Sequence, residues 1–277
     1  VAQVRALQRG VTTLPRVADR VIAGFVSMTI SGRVRFFDMQ RAVSDPVWDL
    51  DEDGQGFVEV ELGLTKTTNT AAGINLKKVA AGHATGLSGE PWAAAWIRAR
   101  KEENRRAADD GCLLPAYSST EGWMKRRMTS RKITGWINDA LKVLGAEQGK
   151  KQALGSHSGK ATCLSWCAKY GVDLDTRELL GYHSKGKHKS VIAYSRDSLA
   201  APLRRLREVE QAVSEGSFDP DATRSGRFKR VRDGAQDSFT LSRKKIMHIL
   251  HAGQWESPCG MANTAKAGYK LEKKVPV

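Results

Sequence analysis

The sequence is poor in cysteine, proline and aromatic residues, and each scarcity excludes a class of protein. Four cysteines in 277 residues, with no C-x-x-C pair, do not make a disulfide framework, so a reducing compartment is the expected setting. Eight prolines and 7% aromatic residues exclude a long proline-rich or prion-like segment. The longest apolar run, residues 21–30, is too short to cross a bilayer, and no signal peptide is recognised. We therefore expect no membrane partner.

Basic residues, by contrast, are in excess. Lysine and arginine number 45 against 30 acidic residues, which gives a net charge of +15 and a pI of about 9.8. Such a field attracts polyanions, among which nucleic acid is the default partner. The excess concentrates in residues 121–170, with ten basic and three acidic residues. A charge run is usually a solvated helical face, but here we predict a surface that faces DNA.

Hydrophobic periodicity predicts a mainly α chain of the α+β class with one small antiparallel sheet. Alternation over residues 58–62 predicts a half-buried strand, followed by a turn at 65–69 and a weaker strand at 73–76. Residues 111–119 are expected to form an irregular connection, and residues 213–277 a basic, loosely structured tail. Helices are predicted over 14–30, from 91, from about 128, over 160–170, over 176–180 and from about 198.

Residue types that suit phosphodiester chemistry follow one another along the chain. They are, in order, Arg35 with Asp38, Lys66, His157 with Lys160, Leu180-Gly181 with His183, and Tyr194. No single motif is specific, since this composition produces a histidine followed three residues later by a base about once by chance. The informative feature is the ordered set at these separations.

This set resembles the tyrosine recombinase (phage integrase) family over residues 30–212, and it is most similar to the recombinases of Crypton and DIRS mobile elements. The resemblance implies a helical catalytic domain over residues 1–212 with a small antiparallel sheet or hairpin. It implies DNA breaking and rejoining through a covalent 3′-phosphotyrosine, in DNA recombination and integration of a mobile element. It further implies double-stranded DNA as partner, self-association on DNA, nuclear residence and no cofactor.

The family usually carries a second, N-terminal core-binding domain that clamps DNA from the other side. Only 34 residues precede Arg35, which is room for the opening helices of the catalytic domain alone. We therefore expect a fragment of a longer protein or a catalytic domain that stands alone.

The resemblance also assigns a role to each residue of the set. Tyr194 is the nucleophile, Lys66 on a hairpin is the general acid, and Arg35, His157, Lys160 and His183 stabilise the phosphate charge. The residue types suit these roles, because a phenol can attack a phosphate and leave again, so that strands can be rejoined. Cations held in place stabilise the negative charge that grows on the phosphate oxygens during attack.

Two positions depart from the family pattern. Lys160 stands where the family usually has arginine, and Tyr182 is inserted before His183. A catalytically weakened, recombinase-derived DNA-binding protein is therefore the alternative function. A type IB topoisomerase would share the chemistry but relax supercoils without a preferred site.

Other interpretations of nearby residues stay open. Arg33 is the alternative to Arg35, His188 competes with His183, and His157 has the alternative of a buried core histidine. Three further residues, His248, His251 and Cys259, lack the paired spacing of a zinc site, and we assign no metal. The residues expected only to pack are Trp92, Trp96, Cys163, Cys167, Tyr117, Tyr170 and Tyr269.

Overall fold

The computed structural model describes residues 1–42, 44–52, 55–63, 78–146, 154–182 and 198–229, with the backbone of 238–241 and 247–250. The chain divides into two compact units, Val1–Lys229 and Arg230–Val277. The second unit is described only through one antiparallel pair, β8 (Ser238–Leu241) with β9 (Met247–Leu250). The mixed α+β class is confirmed.

Helices and short antiparallel strands alternate along the first unit. Its helices are α1 (Ala2–Thr13), α2 (Val17–Ser31), α3 (Phe36–Met39), α4 (Trp92–Glu102), α5 (Ala107–Asp110), α6 (Ser130–Val143), α7 (Ser158–Tyr170), α8 (Leu174–Leu180) and α9 (Ala200–Glu215). Its strands are β1 (Val47–Leu50), β2 (Gly56–Leu62), β3 (Lys78–His83), β4 (Pro115–Ser118), β5 (Gly122–Arg127), β6 (Phe218–Asp219) and β7 (Arg227–Phe228).

Helix α2 lies at the centre of the core. It is apolar on nearly every face and is packed by α1, α4 and α7, so it is buried from Val21 to Ser31 without a break. Gly24 makes the closest of these contacts possible, because a Cβ there would lie 2.0 Å from Cδ1 of Trp96. The Trp96 indole nitrogen donates to the Val21 carbonyl at 3.0 Å. Trp92 and Trp96 are both fully buried, which confirms them as core residues.

A three-stranded antiparallel sheet, in the order β1-β2-β3, packs against the end of α2. The alternation predicted for residues 58–62 is confirmed, since Val58, Val60 and Leu62 are buried while their neighbours are half exposed. Strand β3 approaches so closely that a Cβ on Gly82 would lie 2.9 Å from Cβ of Ser31. The turn and weaker strand predicted at 65–69 and 73–76 lie outside the described residues.

The helix predictions are confirmed within a few residues wherever a local signal marks an end. Pro91 is the N-cap of α4, Gly171 ends α7 with a φ of 94°, and Gly32 and Gly181 follow the last residues of α2 and α8. Helix α1 and the strands β1, β3 and β5 were not predicted. The irregular connection expected at 111–119 is wrong in part, because β4 lies there and pairs with β5 across a short turn.

The loosely structured tail expected after residue 212 is wrong for its first part. Helix α9 continues to Glu215, and β6 then pairs with β7. The ring of Tyr170 lies 5.2 Å from that of Phe218 and 5.3 Å from that of Phe228, so aromatic packing holds this pair to α7. The first compact unit therefore extends to Lys229. Among the helices that the structure describes, none is long and apolar enough to cross a membrane.

Candidate functional site

Three described segments meet at the end of α2: the one that leads to Arg35, the first turn of α7 with Lys160, and the end of α8. Arg33, which follows this helix, is fully buried and has a φ of 53°. Its Nε donates to the Leu180 carbonyl at 3.1 Å, Nη1 donates to the Ser31 carbonyl, and Nη2 donates to the Ala81 carbonyl at 3.1 Å. One guanidinium therefore joins the ends of α2 and α8 to strand β3. Because its donors serve backbone carbonyls, the geometry favours Arg35 over Arg33 as the arginine for a phosphate.

Tyr182 completes this junction from the other side. Its hydroxyl donates to the Gly32 carbonyl at 2.8 Å and accepts from Arg33 Nη2 at 3.2 Å and from the Ala81 backbone nitrogen at 3.3 Å. The residue has a φ of 58°, which is unusual for a side chain of this size. The tyrosine before His183 is thus held in place by its hydroxyl, which makes three hydrogen bonds within the protein. We call Arg33, Ala81 and Tyr182 the buried junction.

The Lys160 side chain contacts the backbone next to the buried junction. Its Nζ donates to the Gly181 carbonyl at 2.7 Å, which ties the first turn of α7 to the end of α8. The neighbouring Gly159 packs on α2, since a Cβ there would lie 2.8 Å from Oγ1 of Thr29. His157, the N-cap of α7, is exposed, which removes the alternative of a buried core histidine.

Arg35 lies at the N-terminus of α3, and its side chain is 43% exposed. Its Nη1 is 3.8 Å from a carboxylate oxygen of Asp38, which is the arginine–acid pair that the sequence predicts. The adjacent Phe36 lines a cavity of about 380 Å³ together with Ser158, which follows His157. Arg35 and His157 are therefore each adjacent in sequence to a residue that lines the same cavity.

Three of the six predicted site residues lie outside the described residues, namely Lys66, His183 and Tyr194. The same holds for His188 and for the side chains of His248, His251 and Cys259. Lys66 belongs to the connection between β2 and β3, and His183 directly follows Tyr182 of the buried junction. The assignments of these residues stay predictions.

Two buried thiols lie behind this region on α7. Burial raises the pKa of the Cys167 thiol to about 11, although the positive charge of Arg33 opposes the shift. Burial also raises the pKa of Cys163 well above its ordinary value, and the carboxylate of Glu210 adds to the effect. Both thiols are protonated at neutral pH and are poor nucleophiles. The expectation that they only pack is confirmed.

A second feature is a surface of exposed basic residues on β5 and the start of α6, which we call the basic hairpin. Its members are Lys125, Arg126, Arg127, Arg131 and Lys132, all exposed. Below them, the indole nitrogen of Trp123 donates to a Glu103 carboxylate oxygen at 2.6 Å, and its ring packs 4.9 Å from that of Tyr117. The ring contact lies within the β4–β5 hairpin, and the bond to Glu103 joins the hairpin to the C-terminus of α4.

The basic hairpin accounts for half of the basic residues in the segment predicted to face DNA. Two other cations of that segment have partners of their own. Lys169 Nζ donates to the Pro220 carbonyl at 2.5 Å, and Lys142 Nζ lies 3.9 Å from an Asp139 carboxylate oxygen at the surface. Among the described residues of that segment, the basic hairpin is therefore the largest group of exposed cations, while Lys150 and Lys151 lie outside the described residues.

The buried junction is what sequence reasoning missed. Ala81 and Tyr182 are 48 and 149 positions away from Arg33, and no pattern in the sequence connects the three residues. Comparison with models of known protein families and with curated protein sequences finds no match for this chain.

Proposed function

We propose that this protein breaks and rejoins DNA through a covalent phosphotyrosine, as the tyrosine recombinases do, in the recombination and integration of a mobile element. One observation supports the proposal above all. The backbone segments that carry Arg35, the His157–Lys160 turn and the residues just before His183 are tied together by the bonds of Arg33 to Leu180 and of Lys160 to Gly181. Residues 35, 157 and 183 are far apart in sequence, and a metal-free phosphoryl transfer needs such groups around one phosphate.

The chemistry follows from the residue types. The Tyr194 oxygen attacks phosphorus, the bond to the 5′ oxygen breaks, and the DNA 3′ phosphate stays on the tyrosine. A neutral imidazole of the site accepts the phenol proton, and the Lys66 ammonium gives a proton to the departing 5′ oxygen. Arg35 neutralises the non-bridging oxygens with a bidentate guanidinium. Attack by the freed 5′ hydroxyl reverses each step and rejoins the strand.

Binding to DNA would rely on the basic hairpin. Five exposed cations on one hairpin and the following helix form a surface that a phosphate backbone can track. Replacing Arg126 and Lys132 with glutamine should weaken binding to any DNA sequence and flatten its salt dependence, because fewer counterions are then released. If the slope of log K against log salt is unchanged in this mutant, the basic hairpin is not part of the DNA interface.

A nicked suicide substrate tests the cleavage step, because the released strand cannot rejoin and the covalent adduct accumulates. The wild-type chain should form a protein–DNA adduct that resists boiling in detergent. Tyr194→Phe removes only the hydroxyl, so the adduct should vanish while DNA affinity stays unchanged. An adduct of equal yield in the mutant would show that another residue attacks.

The second candidate is a DNA-binding protein that descends from such an enzyme and has lost most of its activity. The bond from Lys160 to the Gly181 carbonyl favours it, because a lysine held by backbone offers less to a phosphate than a free guanidinium. The same substrate separates the two, since this protein would bind DNA without forming an adduct. Relaxation of supercoiled DNA without a preferred site would instead indicate a topoisomerase.

A further inference from the structure

One stretch of the chain has a charge opposite to the rest. Residues 44–62 contain seven acidic residues and no lysine or arginine, in a chain whose net charge is +15. This stretch contains β1 and β2. Burial raises the pKa of Glu59 on β2, and the nearby negative charge of Asp49 on β1 raises it further. Asp45 is paired with Arg100, but the negative charges of Asp49 and Glu59 repel each other, and a cationic partner would relieve that repulsion.

Strand β1 is an edge of the sheet, and its outer backbone groups face away from β2. The Asp51 nitrogen donates to the Gln55 carbonyl at 2.8 Å, so Asp51 turns toward β2. Along an antiparallel strand, the backbone N–H and C=O groups of successive residues point alternately toward the paired strand and away from it. The backbone groups of Asp49 therefore also point toward β2, while those of Trp48 and Leu50 point away from it. Within the described part of the chain, these outward groups have no backbone partner.

The other edge of the same sheet is covered. There the outward nitrogen and carbonyl of Ala81 on β3 bond to the Tyr182 hydroxyl and to Arg33 Nη2. Among the described residues, the sheet therefore has one covered edge and one open edge, and the open edge is the acidic one.

Apolar side chains lie along the open edge. Trp48 is paired with the buried Val58 and is on the same face of the sheet, yet it is 47% exposed. Leu50 lies on this face too and is 40% exposed, while Asp49 lies on the opposite face beside Glu59. The core-facing side of the sheet thus continues past the protein body as an apolar overhang. The opposite side of the edge carries Asp49 and Glu59 together with the exposed Val47.

We propose that strand β1 binds an extended segment of a partner protein in which basic and apolar residues alternate. The segment would add a fourth strand through the outward groups of Trp48 and Leu50. Because side chains alternate along a strand, its apolar residues would pack on the overhang and its lysines or arginines would face Asp49 and Glu59. Nucleic acid is excluded as the occupant, since its phosphates would meet only carboxylates.

The test uses the full chain and labelled twelve-residue peptides of alternating lysine and valine, followed by fluorescence anisotropy at physiological salt. This peptide should bind, whereas peptides of alternating glutamate and valine, or of six lysines followed by six valines, should bind at least tenfold more weakly. Equal binding of the block peptide would reduce the interaction to charge alone and overturn the proposal.

Variants locate the binding edge. Leu50→Pro removes an outward N–H without breaking the ladder to β2, and Asp49→Lys reverses one charge on the acidic side. Each should weaken peptide binding at least tenfold. Glu208→Lys makes the same charge change on the half-exposed Glu208 of α9 and should leave binding unaltered. Equal weakening by Glu208→Lys would overturn the proposal. It would also be overturned if no peptide binds and the chain instead forms a dimer that Leu50→Pro dissociates, because β1 would then pair with a second copy.

Discussion

The Tyr182 hydroxyl offers the sharpest test of the buried junction. The substitution Tyr182→Phe removes one oxygen and keeps the ring. Three bonds are lost with it: the one it donates to the Gly32 carbonyl and the two it accepts from Arg33 Nη2 and from the Ala81 nitrogen. Arg33 Nη2 keeps its bond to the Ala81 carbonyl, but the nitrogen of the buried Ala81 is left without this acceptor.

The cost follows from what becomes unpaired. A hydrogen bond contributes about 1 kcal/mol net, and a buried donor left without a partner costs about 1–3 kcal/mol. We expect the free energy of unfolding to fall by about 2–3 kcal/mol. In a compact unit of this size that corresponds to a decrease in Tm of about 5–10 °C.

Urea and thermal unfolding, followed by circular dichroism, measure this loss. Tyr170→Phe is the matched control, because the Tyr170 ring packs on Phe218 and its hydroxyl makes no hydrogen bond to the described residues. The control should change stability by less than about 0.5 kcal/mol. The reasoning is refuted if Tyr182→Phe is as stable as the control. The variant should still form a DNA adduct, more slowly, because the hydroxyl positions the segment before His183 and does not attack.

Three other predictions concern separate parts of the molecule. Lys160→Ala should slow single-turnover cleavage of the suicide substrate about a hundredfold or more with a modest change in DNA binding, whereas Lys160→Arg should stay active. If Lys160→Ala cleaves as fast as the wild type, Lys160 is not part of the active site. Gly24→Ala should destabilise the fold by about 1–3 kcal/mol or more in urea unfolding, since the new Cβ meets Trp96, and a stable variant would contradict the α2–α4 packing. Stability should fall between about pH 9 and pH 11, because the folded chain holds the Cys167 proton more tightly than the unfolded chain in that window. Cys167→Ala should reduce this slope, and an equal slope in both proteins would contradict the raised pKa.

The sequence by itself determined the features that depend on neighbours a few residues away. Pro91, Gly171 and Gly181 mark helix ends because their effect on the backbone is local. The apolar stripe of Ile133, Ile137 and Leu141 likewise identified α6, since these side chains share one face of a helix and all become buried. The α+β class and most helix boundaries followed from such signals.

Only the tertiary structure decided what depends on distant partners. Strand β1 has four exposed residues and no alternation of buried and exposed positions, so its sequence does not indicate a strand. It is a strand because it pairs with β2. Arg33 and Arg35 are indistinguishable as sequence, but the fold buries one among carbonyls and leaves the other beside Asp38. The bond from Arg33 to Leu180 spans 147 residues, and no local preference can specify a contact at that separation.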